Sequence, residues 1–184
     1  ADWAAGALFT TSCEAFLASF KVISSATVGG NICLSLPAGP MITLTVALEA
    51  AYTLWAPDGS QRTVAAVDFV TGDHQNVLQP GEVLRSIDIP ISALRKHHAH
   101  RRFTLTKLGR STIFMVATRS PDTSDFLLTI TAATIHPIRL VFNMIPDSGV
   151  LQQAIDGLPD AVWFDDAIGT PDHRCHLAKH SAEE

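Results

Sequence analysis

Residues 25–44 read SATVGGNICLSLPAGPMITL, and the reading of the whole chain turns on this stretch. Gly29, Gly30, Pro37, Gly39 and Pro40 fall close together in it. Adjacent glycines admit positive φ and let consecutive N–H groups approach a ligand with no Cβ in the way. Such a nest of amides suits a phosphate or pyrophosphate, and Thr27 and Asn31 add a hydroxyl and an amide on either side. The plainer alternative is a strand-to-loop turn with Asn31 in a left-handed conformation. Spacing alone leaves both open. Downstream, Pro40 is well placed at the first position of a helix over Met41–Leu48.

On the N-terminal side, Thr11-Ser12-Cys13-Glu14 has capping-box spacing, and Phe16, Leu17 and Phe20 follow on one face. A short helix is expected at about 12–20. On the C-terminal side, Tyr52–Trp55 and Arg62–Val64 are strand-like and flank the turn Ala56-Pro57-Asp58-Gly59, which predicts a hairpin. Val83–Ile89 is a further strand, stopped by Pro90, which has no N–H for a ladder. The polar, cationic segment SALRKHHAHRR, residues 92–102, reads as a domain boundary. Beyond it three strands are expected: Phe103–Leu108, Ile113–Thr118 and Phe126–Ala132. Helical spacing runs from Asp147 to Leu158, ended by Gly157 and Pro159, and a last helix is expected from Pro171 to about His180. The fold class is α+β, in two halves meeting near residue 100.

Composition narrows the function classes. Of the 184 residues 47% are hydrophobic and 17% charged, which supports a packed core and excludes a disordered chain. A net charge of −5 argues against a nucleic-acid or anionic-membrane surface. No apolar run reaches the roughly 18 residues of a membrane span. Ala1-Asp2-Trp3 carries neither a basic n-region nor a starting Met, so no signal peptide is expected, and processing or a longer product is implied. Cys13, Cys33 and Cys175 are too few and too scattered for a disulfide framework, which favours a reducing cytoplasm.

Other reactive residues read as structural. His97, His98 and His100 lie among Arg101 and Arg102 with no nearby carboxylate or thiol, a poor closed metal site and a reasonable solvated linker. His173 and His176 share a helical face from which Cys175 points away. Cys33 has no base near it in sequence and suits a small apolar core position. Asp165 and Asp166, being adjacent, would point to opposite faces of a strand and fit capping better than acid–base work. Met41 and Phe114 sit in apolar runs and belong to the core. No catalytic residue and no metal site is assigned.

The order and spacing of several short motifs carry a resemblance. These are Thr27-Val28-Gly29-Gly30-Asn31-Ile32, Pro37-Ala38, Asp68-Phe69-Val70-Thr71-Gly72, Leu78-Gln79-Pro80-Gly81-Glu82-Val83-Leu84, Ile87-Asp88-Ile89-Pro90 and Lys107-Leu108-Gly109-Arg110. Asp165-Asp166-Ala167-Ile168-Gly169-Thr170 and Arg174-Cys175-His176-Leu177-Ala178 follow near the end. Together they resemble the FAD-binding (medium) subunit of the molybdenum hydroxylases, the flavoprotein of the carbon monoxide dehydrogenase, xanthine dehydrogenase and aldehyde oxidase group. The resemblance implies that Thr27, Val28, Gly29, Gly30 and Asn31 bind the FAD pyrophosphate and that Leu84 lies against the isoalloxazine. It places Lys107 near the flavin's polar edge, where a cation favours an anionic reduced flavin.

The implied architecture is the second subdomain of a two-part FAD-binding domain, a mixed sheet with helices, over residues 1–99. A small C-terminal domain with a three-stranded antiparallel sheet and helices then occupies 100–184. The implied function is electron transfer from [2Fe–2S] clusters on a small partner subunit to FAD and an external acceptor. Molybdopterin would sit on a large partner subunit, in a cytoplasmic hetero-oligomer. Two departures qualify this. Gly39-Pro40-Met41 stands where many members carry an Asp, and the family's first subdomain, with its own glycine-rich FAD loop, is not among these residues. The alternatives are a flavin-free scaffold or assembly partner of the same complex, a nucleotide-binding module without redox chemistry, and, more remotely, a metal-binding protein.

Overall fold

The computed structural model describes residues 3–107 and 109–183. After a 3₁₀ turn at Ala4–Gly6 the chain forms helices α1 (Ala7–Glu14), α2 (Phe20–Ser25), α3 (Val28–Leu34) and α4 (Pro40–Ala47). Strands β1 (Ala51–Trp55) and β2 (Gln61–Ala65) follow, then helix α5 (Ala66–Phe69) and strands β3 (Val70–Gly72), β4 (Gln75–Asn76) and β5 (Val83–Asp88). Helix α6 (Ile91–Leu94) leads into β6 (His97–Thr104), β7 (Ser111–Arg119), β8 (Phe126–Thr131) and β9 (Ile138–Phe142). Helix α7 (Ser148–Asp156), a 3₁₀ turn at Asp160–Val162 and helix α8 (Pro171–Glu183) complete it. The sheets are antiparallel: β2-β1-β5, the small β3-β4 pair, and β6-β7-β8-β9.

Helix α4 forms as its sequence predicts, with Pro40 at its first position. All eight of its residues are buried, so it has no polar face. It packs against α1, α3 and α5 as well as β7 and β8. Its two polar side chains are satisfied locally. Thr43 Oγ1 shares a hydrogen bond with Thr131 Oγ1 at 2.6 Å, and Thr45 Oγ1 one with Tyr52 OH at 2.5 Å. Complete burial of an Ile, Leu or Val of this kind contributes about 1.5–3 kcal/mol.

Strand β7 is buried on both faces. Phe114 and Val116 enter the core around α4, while Ile113 and Met115 enter a second core with Leu128, Ile130, Leu151, Ile155 and Leu177. The molecule is therefore layered, with α4 on one face of the four-stranded sheet and the packed pair α7 and α8 on the other. Asp147 caps α7, its Oδ1 accepting from the Val150 amide at 2.8 Å.

Five expectations need correction. The helix placed at 12–20 lies earlier, over Ala7–Glu14, and 16–19 are not helical: Ala5, Leu8, Ser12 and Ala15 are buried at helical spacing, so Thr11 lies inside α1 rather than capping a helix. The segment 92–102 is no linker. It forms α6 and most of β6, which pairs with β7 from His97↔Arg119 to Thr104↔Ser111; its charge is tolerated because β6 is a sheet edge. The strand expected over Phe103–Leu108 ends at Thr104, with Leu105–Lys107 in the turn to β7, while Leu108 lies outside the described residues. A fourth strand, β9, joins the three expected beyond residue 100. Finally, α8 extends to Glu183.

The hairpin β1–β2 is tied to the approach to β5 by one ion pair. Arg62 donates to both Glu82 oxygens, at 2.8 and 2.7 Å, and to the Val77 carbonyl at 2.7 Å. The Gln79 amide also donates to Glu82 Oε2, at 2.7 Å. These bonds, that from Arg62 first, hold the Glu82 carboxyl down at about 2. A depressed folded-state pKa contributes stability that is present above the unfolded value and lost as pH falls through the folded one. The stability gap between wild type and Glu82→Gln in urea denaturation should therefore be largest near neutrality. It should shrink as pH falls from about 4.5 toward 2; a gap independent of pH would show that the carboxylate is not what holds the loop.

Candidate functional site

The glycine stretch is neither a nest of left-handed residues nor a turn. Val28–Leu34 is a helix, with Thr27 as its N-cap. Gly29, Gly30 and Asn31 have no positive φ; the left-handed residue here is Ser35, at φ 55°. Thr27 Oγ1 accepts from the Gly30 amide at 3.0 Å, and the Thr27 carbonyl accepts from Asn31 N at 3.0 Å. The amides of Val28 and Gly29, at the first two helical positions, have no acceptor within the helix. Space explains Gly30: a Cβ there would lie 2.9 Å from Thr27 Oγ1. The glycine serves the cap as well as any ligand that approaches.

Asn31 is held by the next helix. Gly39, the N-cap of α4, has no side chain and Pro40 has no N–H, so the Met41 amide needs an acceptor from elsewhere. Asn31 Oδ1 supplies it at 3.1 Å. That bond spends the carboxamide oxygen and leaves Nδ2 as the donor. A Cβ on Gly39 would come within 2.8 Å of Ile42 Cδ1 and 3.2 Å of Asn31 Oδ1. A side chain at position 39 would have to displace the end of Ile42 and press on the Leu36 carbonyl and Asn31 Oδ1.

Thr27, Val28 and Asn31 line a cavity of about 190 Å³ together with Cys13, Phe16, Ile23, Ala26 and Met41. Leu84 adjoins this group, for a Cβ on Gly29 would meet Leu84 Cδ2 at 3.8 Å. Five residues singled out from one stretch and Leu84 from β5 are therefore brought together. Lys107 is not among the lining residues; it is exposed in the β6–β7 turn.

A second cavity, of about 160 Å³, lies behind the Pro37-Ala38 corner and is lined also by Asp73, His74, Arg110, Asp166 and Arg174. Asp166 caps its turn as expected, Oδ1 accepting from the Ile168 amide at 3.0 Å, and it also pairs with Arg110 at 3.1 Å and with the fully buried Arg174 at 2.5 Å. Arg174 further donates to the carbonyls of Thr112 and Ala132, each at 2.6 Å, and of Gly169 at 3.2 Å. Nothing in sequence spacing signals this cluster, because its members lie far apart along the chain. Burial pushes the Cys33 thiol up, which suits a core residue rather than a nucleophile. His98 and His100 stack on β6 at 6.3 Å, and no group of three or more metal-ligating side chains occurs among the described residues. Nor, among them, is any helix long and apolar enough to cross a membrane.

Residues 8–92 match the family described as the FAD binding domain in molybdopterin dehydrogenase. The carbon monoxide dehydrogenase medium chain of Afipia carboxidovorans is 37% identical over 76 residues, which are 41% of this chain and 26% of that one. Xanthine dehydrogenase of Oryza sativa is 34% identical over 86 residues, 44% of this chain and 6% of that one. Among solved structures, quinoline 2-oxidoreductase of Pseudomonas putida 86 superposes with a TM-score of 0.75 at 22% identity, over 95% of this chain and 64% of that chain. Reconstituted carbon monoxide dehydrogenase of Oligotropha carboxidovorans gives 0.73 at 25% identity, over 91% and 62%. The chain is homologous to the carbon monoxide dehydrogenase medium chain and to xanthine dehydrogenase, and these homologues are oxidoreductases. It spans about a quarter of the medium chain it matches in sequence, and less than two thirds of the structurally similar chains.

The role given to Gly30 has a thermodynamic signature. Thr27→Ala should cost about 1 kcal/mol through the lost cap. Gly30→Ala should be near neutral in wild type, because the new methyl displaces the cap while helix propensity gains. In the Thr27→Ala background it should stabilise by about 1 kcal/mol. Equal effects in both backgrounds, measured by chemical denaturation, would mean that Gly30 does not make room for Thr27.

Proposed function

We propose, on the homology of residues 8–92 to an FAD binding domain, that this chain is a flavin-bearing electron-transfer component of a molybdenum-containing hydroxylase or dehydrogenase. The observation that carries the reading is the cavity shared by Thr27, Val28 and Asn31 with Gly29 and Leu84 beside it. The donors at this corner suit a pyrophosphate: the Thr27 hydroxyl and Asn31 Nδ2 from lining residues, with the Val28 and Gly29 amides lacking an acceptor within the helix. The family resemblance assigns the same residues. When bound, FAD supplies the capacity to accept and release electrons.

The roles of the chain's own residues follow. Thr27, Val28 and Gly29 present main-chain and hydroxyl groups to the pyrophosphate, Gly30 keeps the approach free of a Cβ, and Asn31, its oxygen already engaged, donates. Leu84 offers an apolar contact to the ring system. Lys107 supplies a cation at the ring's polar edge and stabilises negative charge there. We place the C-terminal part of the FAD-binding domain at 1–99 and a small domain at 100–184; the family match ending at residue 92 supports this division. The proposed partners are a molybdopterin-binding large subunit and a [2Fe–2S] small subunit, in a cytoplasmic hetero-oligomer. Three unpaired cysteines suit that reducing setting.

Absorbance of the complex purified with its partners, followed by release of the bound dinucleotide, tests the reading. Flavin bands and released FAD are expected. A colourless protein still associated with the same partners would replace electron transfer with a scaffold role. Gly30→Val should abolish flavin retention while circular dichroism stays native, since a branched side chain closes the approach to the amides. Lys107→Ala should lower the flavin midpoint potential; an unchanged potential removes Lys107 from the site.

A further inference from the structure

The cavity behind the Pro37-Ala38 corner shares no lining residue with the one at Thr27 and Asn31, and its polar groups are not all paired. Arg174 is fully buried, and a guanidinium has five N–H donors. Four are spent, on the carbonyls of Gly169, Thr112 and Ala132 and on Asp166 Oδ1. One Nη2–H remains. Arg110 bonds through one nitrogen, Nη2 to Asp166 Oδ2 at 3.1 Å. Ser111 is buried, and its Oγ accepts from Arg102 Nε at 2.7 Å, which leaves the hydroxyl proton to donate. Across the cavity the imbalance is reversed. Asp73 Oδ1 is buried and makes no hydrogen bond; His74 Nδ1 lies 2.9 Å away but without hydrogen-bond geometry. A buried carboxylate oxygen left without a donor is costly.

The walls set the size and shape of what fits. Leu36, Pro37, Phe164 and Ile168 supply an apolar side. The volume of about 160 Å³ is that of about five waters, which suits a ligand of few heavy atoms. Of the four described non-glycine residues at positive φ, three frame this cavity. His74 and Ala132 line it, and the Ser35 carbonyl accepts from the His74 amide at 3.0 Å. Such conformations are costly and collect at ligand sites. We propose that this cavity binds a small 2-hydroxycarboxylate. Its carboxylate takes the surplus donors of Arg110, Arg174 and Ser111, and its hydroxyl donates to Asp73 Oδ1. A short alkyl substituent lies against Pro37 and Phe164. Two guanidiniums here meet two carboxylates, so the surplus of donors, rather than net charge, selects an acceptor-rich anion. The bound molecule ties the β3–β4 turn to the start of β7 and to α8. Nothing in this site rests on the flavin reading.

Calorimetric titration of the full chain with L- and D-lactate tests the site, with propionate and methyl lactate as controls. Propionate lacks the hydroxyl and methyl lactate the charge. At least one lactate enantiomer should bind saturably, with a dissociation constant of about 1 mM or below, as suits so small a ligand. Both controls should bind about tenfold more weakly or worse, the cost of a lost hydrogen bond to a charged group. The melting temperature should rise with lactate in step with that affinity, by mass action. Asp73→Ala should bring lactate down to the propionate level. Arg110→Gln should weaken lactate and propionate alike by about tenfold. Circular dichroism should stay native in both variants, since Asp73 lies in a turn and Arg174 keeps Asp166 paired. Lactate binding no tighter than propionate or methyl lactate, or affinity unmoved by both substitutions, overturns the proposal. So does the absence of both saturable heat and a rise in melting temperature. Neither position is assigned to the flavin, so flavin content read on the same samples reports on the cofactor separately.

Discussion

Strand β7 is the constraint on which the rest of the structure depends. An antiparallel strand usually buries one face and wets the other, but Ser111–Thr118 is buried or nearly so throughout. Its alternate residues feed two separate cores, one around α4 and one beneath α7 and α8. Neither core closes without it. The strand can serve both because β6 and β8 flank it in the sheet, satisfying its main chain on both sides. Its apolar side chains can then be spent entirely on packing.

The same economy governs the polar groups at the junctions between layers. The Ala132 amide donates to the Pro37 carbonyl at 2.9 Å, and the Ala132 carbonyl accepts from buried Arg174. Ala132 itself has φ 65°, a strained conformation for a residue with a Cβ, and it is held on both sides by these bonds. Pro37 in turn leads to Gly39 and the start of α4, where Asn31 reaches across to the Met41 amide. Main-chain groups that burial would leave unpaired are thus satisfied by side chains from distant segments, as buried polar groups require. The corner that presents Thr27–Asn31 is anchored through α4 and the sheet to the C-terminal helix.

This anchoring bears on how a binding surface is built from few residues. Thr27 and Asn31 each have a structural duty, one capping α3 and the other α4. Those duties fix where their remaining polar atoms point before any ligand arrives, so less ordering remains to be done on binding. Gly30 and Gly39 contribute by having no Cβ where one would press on Thr27 Oγ1 or on Asn31 Oδ1. A glycine can therefore matter to a site without adopting an unusual φ.

Much of this was legible from residues alone. The α+β class, helix α4 behind Pro40, the hairpin around Asp58-Gly59 and the helical spacing of α7 all rest on short-range chemistry: fixed φ, missing donors, turn-forming side chains and apolar periodicity. The family resemblance likewise needed only the order of short motifs. Three features lay beyond it. The cationic run 97–102 became a strand because β7 offered it a partner, β9 formed against β8, and the Arg110–Asp166–Arg174 cluster exists only once segments distant in the chain meet. The helix across the glycine pair is by contrast local, set by the Thr27 cap. Sequence by itself determined what is decided within a few residues. Tertiary structure decided what depends on hydrogen-bond partners and burial supplied from far along the chain, because those energies override local propensity and composition.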